Sequence, residues 1–183
     1  MPQIRIVLIF ILWFNFTSTW LNGQIRLPTH SEIKKLTFSA IKHRESCDFE
    51  KSLLVSRLAL QKAVAIKDNS FIAENYNTVA ANFNSLAEYD KAIFYYEKAL
   101  LYSNNTQNDT LKQRVNNNLG NMYCFEKKDY NKGILYYRKA IEYGKIISDS
   151  SKLAFTNLNL TWALFDIGKF NSGEESLQQV NNY

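Results

Sequence analysis

Side chains able to act as a nucleophile, a general base or a soft metal ligand near neutral pH are scarce here. They are two histidines, His30 and His43, and two cysteines, Cys47 and Cys124. A metal site needs such groups at ligand spacing, and neither a CxxC nor a His-rich cluster occurs. A Gly-rich phosphate loop, HExxH, GxSxG and a paired-carboxylate motif are also missing. His30 reads as part of a leader before the first helix, and His43 as a side chain near that helix's end. The expectation is a protein without catalysis, metal or cofactor. Asparagine, by contrast, is abundant throughout. Its amide donates and accepts, so it can satisfy a peptide backbone's C=O and N–H together. Where those amides point depends on the elements that carry them.

The chain has 183 residues, which one domain accounts for, and is 46% hydrophobic and 21% charged. With 2 prolines and 6 glycines, long helices are permitted and a turn-rich β protein is disfavoured. The net charge of +5 comes from 22 basic and 17 acidic residues with no dense Lys/Arg block. It reads as a solvated surface, with no nucleic-acid partner. Arg5 precedes an apolar run from Ile6 to Phe14, and Asn15 to Ser18 follow. That pattern predicts a secretory signal peptide over 1–23, cleaved after Gly23, and export to the periplasm or medium. The run is short for a membrane span of about 20 residues, so an uncleaved inner-membrane anchor is the alternative and the only expected membrane contact. Residues 24–30 form a leader.

Four aromatic residues then set the organisation. Phe49, Tyr89, Tyr130 and Phe170 are separated by 40, 41 and 40 residues. Three residues after each stands a small side chain: Ser52, Ala92, Gly133 and Gly173. Ten residues after each stand Ala59, Ala99, Ala140 and Val180. A fixed period of this length marks one supersecondary unit copied and stacked. The units run about 31–69, 70–108, 109–149 and 150–183. In the second, Tyr76, Val79, Ala80 and Phe83 share one helical face, and Ala92, Tyr96, Ala99 and Leu100 share another. Only Leu86 to Asp90 separate them, which predicts an antiparallel hairpin.

Small residues at the crossing, Ala80 with Ala92 and Gly120 with Gly133, let the two backbones approach. The tyrosines at 95–96, 136–137, 102 and 143 read as core and inter-unit packing. Thr29 with Glu32, and Thr110 with Gln113, have capping-box spacing, and Gly168 suits a left-handed helix end. Cys47 falls in a turn of the first unit and Cys124 inside the third. Stacked units touch only their neighbours, so these thiols should stay free. The fold class is an all-α, right-handed solenoid of helix hairpins, about four units with the last truncated.

The units resemble tetratricopeptide repeats. Tyr76, Val79-Ala80, Phe83, Ala92, Tyr96 and Ala99 occupy the family's places in the second unit. Asn118-Leu119-Gly120-Asn121, Tyr123, Tyr130, Gly133, Tyr137 and Ala140 do so in the third, with one extra residue between Tyr123 and Tyr130. The fourth matches through Leu160-Thr161, Leu164, Gly168, Phe170, Gly173, Leu177 and Val180, and the first mainly through Phe49, Ser52 and Ala59. The period exceeds the common 34 residues, and the extra length is placed between units, at Ser103 to Asp109 and Ser148 to Ser151. Long-period units of this kind resemble those of bacterial regulatory proteins.

The resemblance implies a concave groove lined by the first helix of each unit, where an extended peptide or partner helix binds. Its inner positions map to Glu74, Asn77, Ala81, Asn84 and Ser85. In the third unit they map to Arg114, Asn117, Asn121, Cys124 and Phe125, and in the fourth to Phe155, Leu158, Trp162, Phe165 and Asp166. Asn77, Asn84, Asn117 and Asn121 would hold a peptide backbone while Trp162 and Phe165 take an apolar side chain. Arg114 stands nearly alone as a cation, so the family's clamp for acidic tails is not expected. The function implied is a non-enzymatic, exported scaffold for a protein or peptide. The alternative is the sensory portion of a bacterial signal-transduction protein, a kinase or transcription regulator, whose output domain lies elsewhere. Leu177 and Val180 would lack a partner, so self-association through that end is the remaining expectation.

Overall fold

The computed structural model describes residues 26–180. The apolar segment at 6–14 and the cleavage point after Gly23 lie outside the described residues. Eight α-helices follow one another: α1 (His30–Glu45), α2 (Phe49–Ala65), α3 (Asn69–Ser85), α4 (Tyr89–Asn104), α5 (Asp109–Asn121), α6 (Tyr130–Ile146), α7 (Ser150–Asp166) and α8 (Phe170–Val180). A π-helical turn, Met122–Glu126, extends α5. No strand occurs among the described residues. Successive pairs pack as hairpins, α1 with α2 through α7 with α8. No helix of the described residues is long and apolar enough to cross a membrane.

Each of the four periodic aromatics is the first residue of its unit's second helix. Five of the seven connections have a non-glycine residue in the left-handed region just past the helix end: Cys47 (φ 59°), Lys67 (54°), Ala87 (58°), Lys128 (57°) and Ser148 (53°). Gly168 (φ 73°) serves in the sixth. The next residue's N–H then returns to a carbonyl in the last turn, as in Glu88 to Phe83 (2.9 Å) and Lys169 to Leu164 (2.9 Å). This is Schellman closure, and it satisfies carbonyls the helix leaves free. The returning residue also caps the next helix: Asp48, Asp68, Asp129 and Asp149 side chains each accept from a backbone N–H. One tripeptide thus ends a helix, reverses the chain and starts another.

Three expectations change here. The extra length of the period lies within the helices, most of them 16 or 17 residues, rather than between units; Ser103 is buried inside α4. The cap of α5 is Asn108, whose side chain accepts from Leu111 N at 3.0 Å, so Thr110 lies inside the helix. His30 is the first residue of α1, stacked on Phe71 at 5.1 Å. The capping box of Thr29 with Glu32 is present as expected.

The core follows the repeat. Ala59, Ala80, Ala92, Ala99, Ala140, Val79, Val115 and Leu119 are fully buried, each large aliphatic contributing roughly 1.5–3 kcal/mol. A methyl group added at Gly120 would meet the Tyr137 ring at 2.5 Å. Only glycine admits that ring, and Tyr137 is the largest fully buried side chain. Polar groups enter the core too. Asn75, Asn116 and Asn157 recur 41 residues apart, and each donates its amide to the carbonyl four residues earlier. The Thr37 hydroxyl reaches Asn75 Oδ1 at 2.9 Å, tying the first unit to the second. First helices of neighbouring units are in backbone contact, α1 with α3 and α3 with α5, while second helices of neighbouring units are not comparably close. First helices therefore crowd on the inner, concave side and second helices splay on the outer side.

Candidate functional site

On the concave side, α1, α3 and α5 enclose a cavity of about 400 Å³. Arg44 enters it from the end of α1, Asn77 and Asn84 from α3, Arg114 and Asn118 from α5, and Tyr96 closes the floor from α4. Burial pushes the Tyr96 phenol well above its ordinary range, and the Arg44 and Arg114 charges oppose that shift only weakly. It stays a neutral hydroxyl at any ordinary pH. The Nε–H groups of both arginines are buried and have no partner among the described residues. An unmet charged donor is costly to bury, and both arginines line the same cavity.

The amides hold one another across the units. Asn118 Nδ2 donates to Asn77 Oδ1 at 2.9 Å, and Asn159 Nδ2 to Asn117 Oδ1 at 3.3 Å. These bonds fix the amides' orientation, and they leave the Nδ2 donors of Asn77 and Asn117 for a ligand. Glu74 accepts from Arg114 NH2 at 3.3 Å. Both side chains are more than a third exposed in that pair, so it contributes about 0–1 kcal/mol. A second hollow of about 340 Å³, lined also by Asn117 and Phe155, adjoins the first through Arg114 and Asn118. Beyond it, Phe155, Leu158 and Trp162 recur at i, i+3 and i+7 on α7, and all three are exposed. A polar, cationic pocket thus runs into an apolar shelf.

The sequence-derived positions divide accordingly. Asn77, Asn84, Arg114, Asn117 and Trp162 lie along this groove. Asn121 does not face it freely, because its Oδ1 accepts from Tyr137 OH at 2.6 Å. Phe165 belongs to the hairpin core: its ring lies against Gly173, where a β-carbon would collide with it, and beside Phe170 at 5.9 Å. Cys124 is turned inward and fully buried, because the π turn advances the helix by one residue. Its counterpart forty residues earlier, Asn84, lines the cavity. Both thiols are free, Cys47 exposed and Cys124 buried. Sequence reasoning missed Arg44, Asn118 and Tyr96. Arg44 gives Arg114 the cationic neighbour it was expected to lack, and no local signal marked it, since α1 matches the repeat only weakly.

Comparison with known proteins agrees with this geometry. The tetratricopeptide repeat profile matches residues 73–106 and 113–143. No curated protein sequence matches the chain. Among solved structures, BtubC (BKLC) from P. vanneervenii is similar with a TM-score of 0.69 at 20% identity, covering 83% of this chain and 63% of its own. The apo form of RapI gives 0.76 at 18%, over 90% and 58%. Aspartyl phosphate phosphatase F from Bacillus subtilis gives 0.72 at 19%, over 80% and 38%. The chain therefore spans less than two thirds of the length of each. At these identities the likeness shows the fold. The chain therefore carries two tandem tetratricopeptide repeats, over 73–106 and 113–143, within a solenoid of like hairpins.

Proposed function

We propose that this chain is a non-enzymatic scaffold that takes an extended peptide, bearing an acidic group, into its concave groove. The observation that carries this reading is the pair of cationic side chains, Arg44 and Arg114, lining one cavity with Asn77, Asn84 and Asn118. A carboxylate placed between them gains charge-assisted bonds about twice as strong as neutral ones. Asn77 and Asn117 then meet the peptide backbone, and the Phe155–Trp162 shelf takes an apolar side chain a few residues away. The Arg5-led apolar run at 6–14 supports export as the setting in which the groove works.

The test is selection from a peptide library carrying either free or amidated C-termini, followed by pull-down with wild type, Arg44→Ala/Arg114→Ala and Trp162→Ala. Acid-bearing peptides should be retained by wild type and lost by the double variant, with apolar preference lost in Trp162→Ala. Equal retention of the same peptides by all three proteins would refute the groove assignment.

A further inference from the structure

We infer that the outer, second-helix face of this solenoid rests on an anionic lipid surface. Leu54 in α2, Phe94 in α4 and Leu135 in α6 occupy one register position, five residues after the first residue of each helix. They are 70%, 52% and 57% exposed. Three successive units therefore each present an apolar tip at this position, and Leu58, one turn beyond Leu54, is exposed as well. The row ends in the fourth unit, where Glu175 holds that position.

Cations flank the row. Arg57, Lys98, Arg138 and Lys139 lie one turn further along the same helices, and none pairs with a carboxylate among the described residues. The Lys98 ammonium lies over the Phe94 ring at 5.5 Å. Of the acids on these helices, Asp90 pairs with Lys127 and Glu97 with Lys132, which leaves Glu50 and Glu142. In total α2, α4 and α6 carry nine basic and four acidic residues, a net of +5. That equals the net charge of the whole chain, so all remaining segments together are neutral. The positive charge is concentrated on the three helices that carry the apolar row, while α8, where the row ends, carries Glu174 and Glu175.

A protein partner fits this arrangement poorly. Protein interfaces have a contiguous, packed apolar core depleted of charge, and here the exposed apolar side chains are interspersed with the cations Arg57, Lys98, Arg138 and Lys139 on a convex face. A bilayer surface accepts that pattern. Apolar tips enter at the boundary of headgroups and acyl chains, while Lys and Arg stems lie along the apolar surface and reach anionic groups.

The experiment is co-sedimentation of the full chain with phosphatidylcholine vesicles, with and without phosphatidylserine. Binding should require phosphatidylserine and fall with salt. Lys98→Gln/Arg138→Gln/Lys139→Gln should weaken it by about fivefold for each charge removed, and Leu54→Ser/Phe94→Ser/Leu135→Ser by roughly tenfold or more. Circular dichroism checks that both variants keep their helices, and Arg44→Ala/Arg114→Ala should bind vesicles like wild type, which separates this face from the groove. Equal binding to neutral vesicles, wild-type binding by both outer-face variants, or capture of an acidic protein without vesicle binding would each overturn the proposal.

Discussion

Gly133 lies so close to Cys124 that a β-carbon at position 133 would overlap the Cys124 sulfur and come within 2.9 Å of the Cys124 backbone nitrogen. The contact exists because the π turn at Met122–Glu126 absorbs the extra residue between Tyr123 and Tyr130. Lys127 N reaches back to Met122 O at 3.0 Å, five residues rather than four. The added residue rotates Cys124 out of the groove and into the hairpin, and glycine on α6 makes room. The second unit has neither feature: it carries Asn84 and Ala92 at these places.

That pairing predicts the cost of a methyl group. Gly133→Ala should destabilise the fold by roughly 1–3 kcal/mol, the usual cost of overpacking. Cys124→Ala removes the sulfur but leaves the Cys124 nitrogen and the Gly120 carbonyl, the latter 3.0 Å from a β-carbon at 133. The double variant should therefore recover part of the loss, a coupling measurable by urea unfolding of all four proteins. Strict additivity would show that sulfur and methyl group do not compete for the same space.

Burial pushes the Cys124 thiol up to about 12, with the Asp129 and Asp166 charges adding to the effect. In the native protein only Cys47, exposed in its turn, should react with a thiol reagent at pH 8, and a second thiol should appear on denaturation. Stability follows the same shift. The unfolded thiol ionises near the ordinary cysteine value of 9.0, whereas the folded thiol does not until about pH 12. The unfolded state then binds fewer protons, so the contribution is intact below pH 9 and declines by about 1.4 kcal/mol per pH unit above it. Burial raises Tyr137 in the same direction, which steepens the alkaline loss. A flat unfolding free energy between pH 9 and 11 would contradict this.

The left-handed turn residues give a gain instead of a loss. Ala87 holds φ 58° between α3 and α4, a conformation costing roughly 1–2 kcal/mol for a residue with a β-carbon. Ala87→Gly removes that cost and adds back about 0.4–1 kcal/mol of unfolded-chain entropy. A net stabilisation of about 0.5–1 kcal/mol is expected. At Gly168, which already has φ 73°, glycine to alanine should move stability the other way, and thermal unfolding of both variants reads the two signs.

The hairpins were legible because their signals are short-range. An aromatic residue opening each second helix, small residues at +3 and alanine at +10 all report packing within one unit. The left-handed conformation was legible at Gly168 but not at Cys47, Lys67 or Ala87, where tertiary packing forces a conformation the residue type disfavours. The groove was half legible. Asn77, Asn84, Arg114 and Asn117 follow from register, whereas Phe165 faces Gly173 because α8 packs closely there. Arg44 and Arg114 come to line one cavity only through stacking of three units, across seventy residues of chain. Register arithmetic also fails past Tyr123, since one π turn shifts every later position of that helix by about 100°.

Glu74 gives the sharpest test of the groove. It is the one carboxylate that occupies Arg114, at 3.3 Å, and an exposed pair of this kind holds with only about 0–1 kcal/mol. A ligand carboxylate entering the cavity must displace it, and Glu74→Gln removes both the competitor and a repelling charge. Acid-bearing peptides selected on wild type should bind the variant up to about fivefold tighter, the equivalent of about 1 kcal/mol. Their amidated or neutral counterparts should be unchanged. Fluorescence polarisation of labelled peptides reads both arms. Weaker binding of the acidic peptides by Glu74→Gln would mean that Glu74 orients Arg114 for the ligand instead of competing for it. An Arg44→Ala background separates the two roles: competition persists there, because Arg114 alone still receives the carboxylate, whereas orientation would leave no binding to measure.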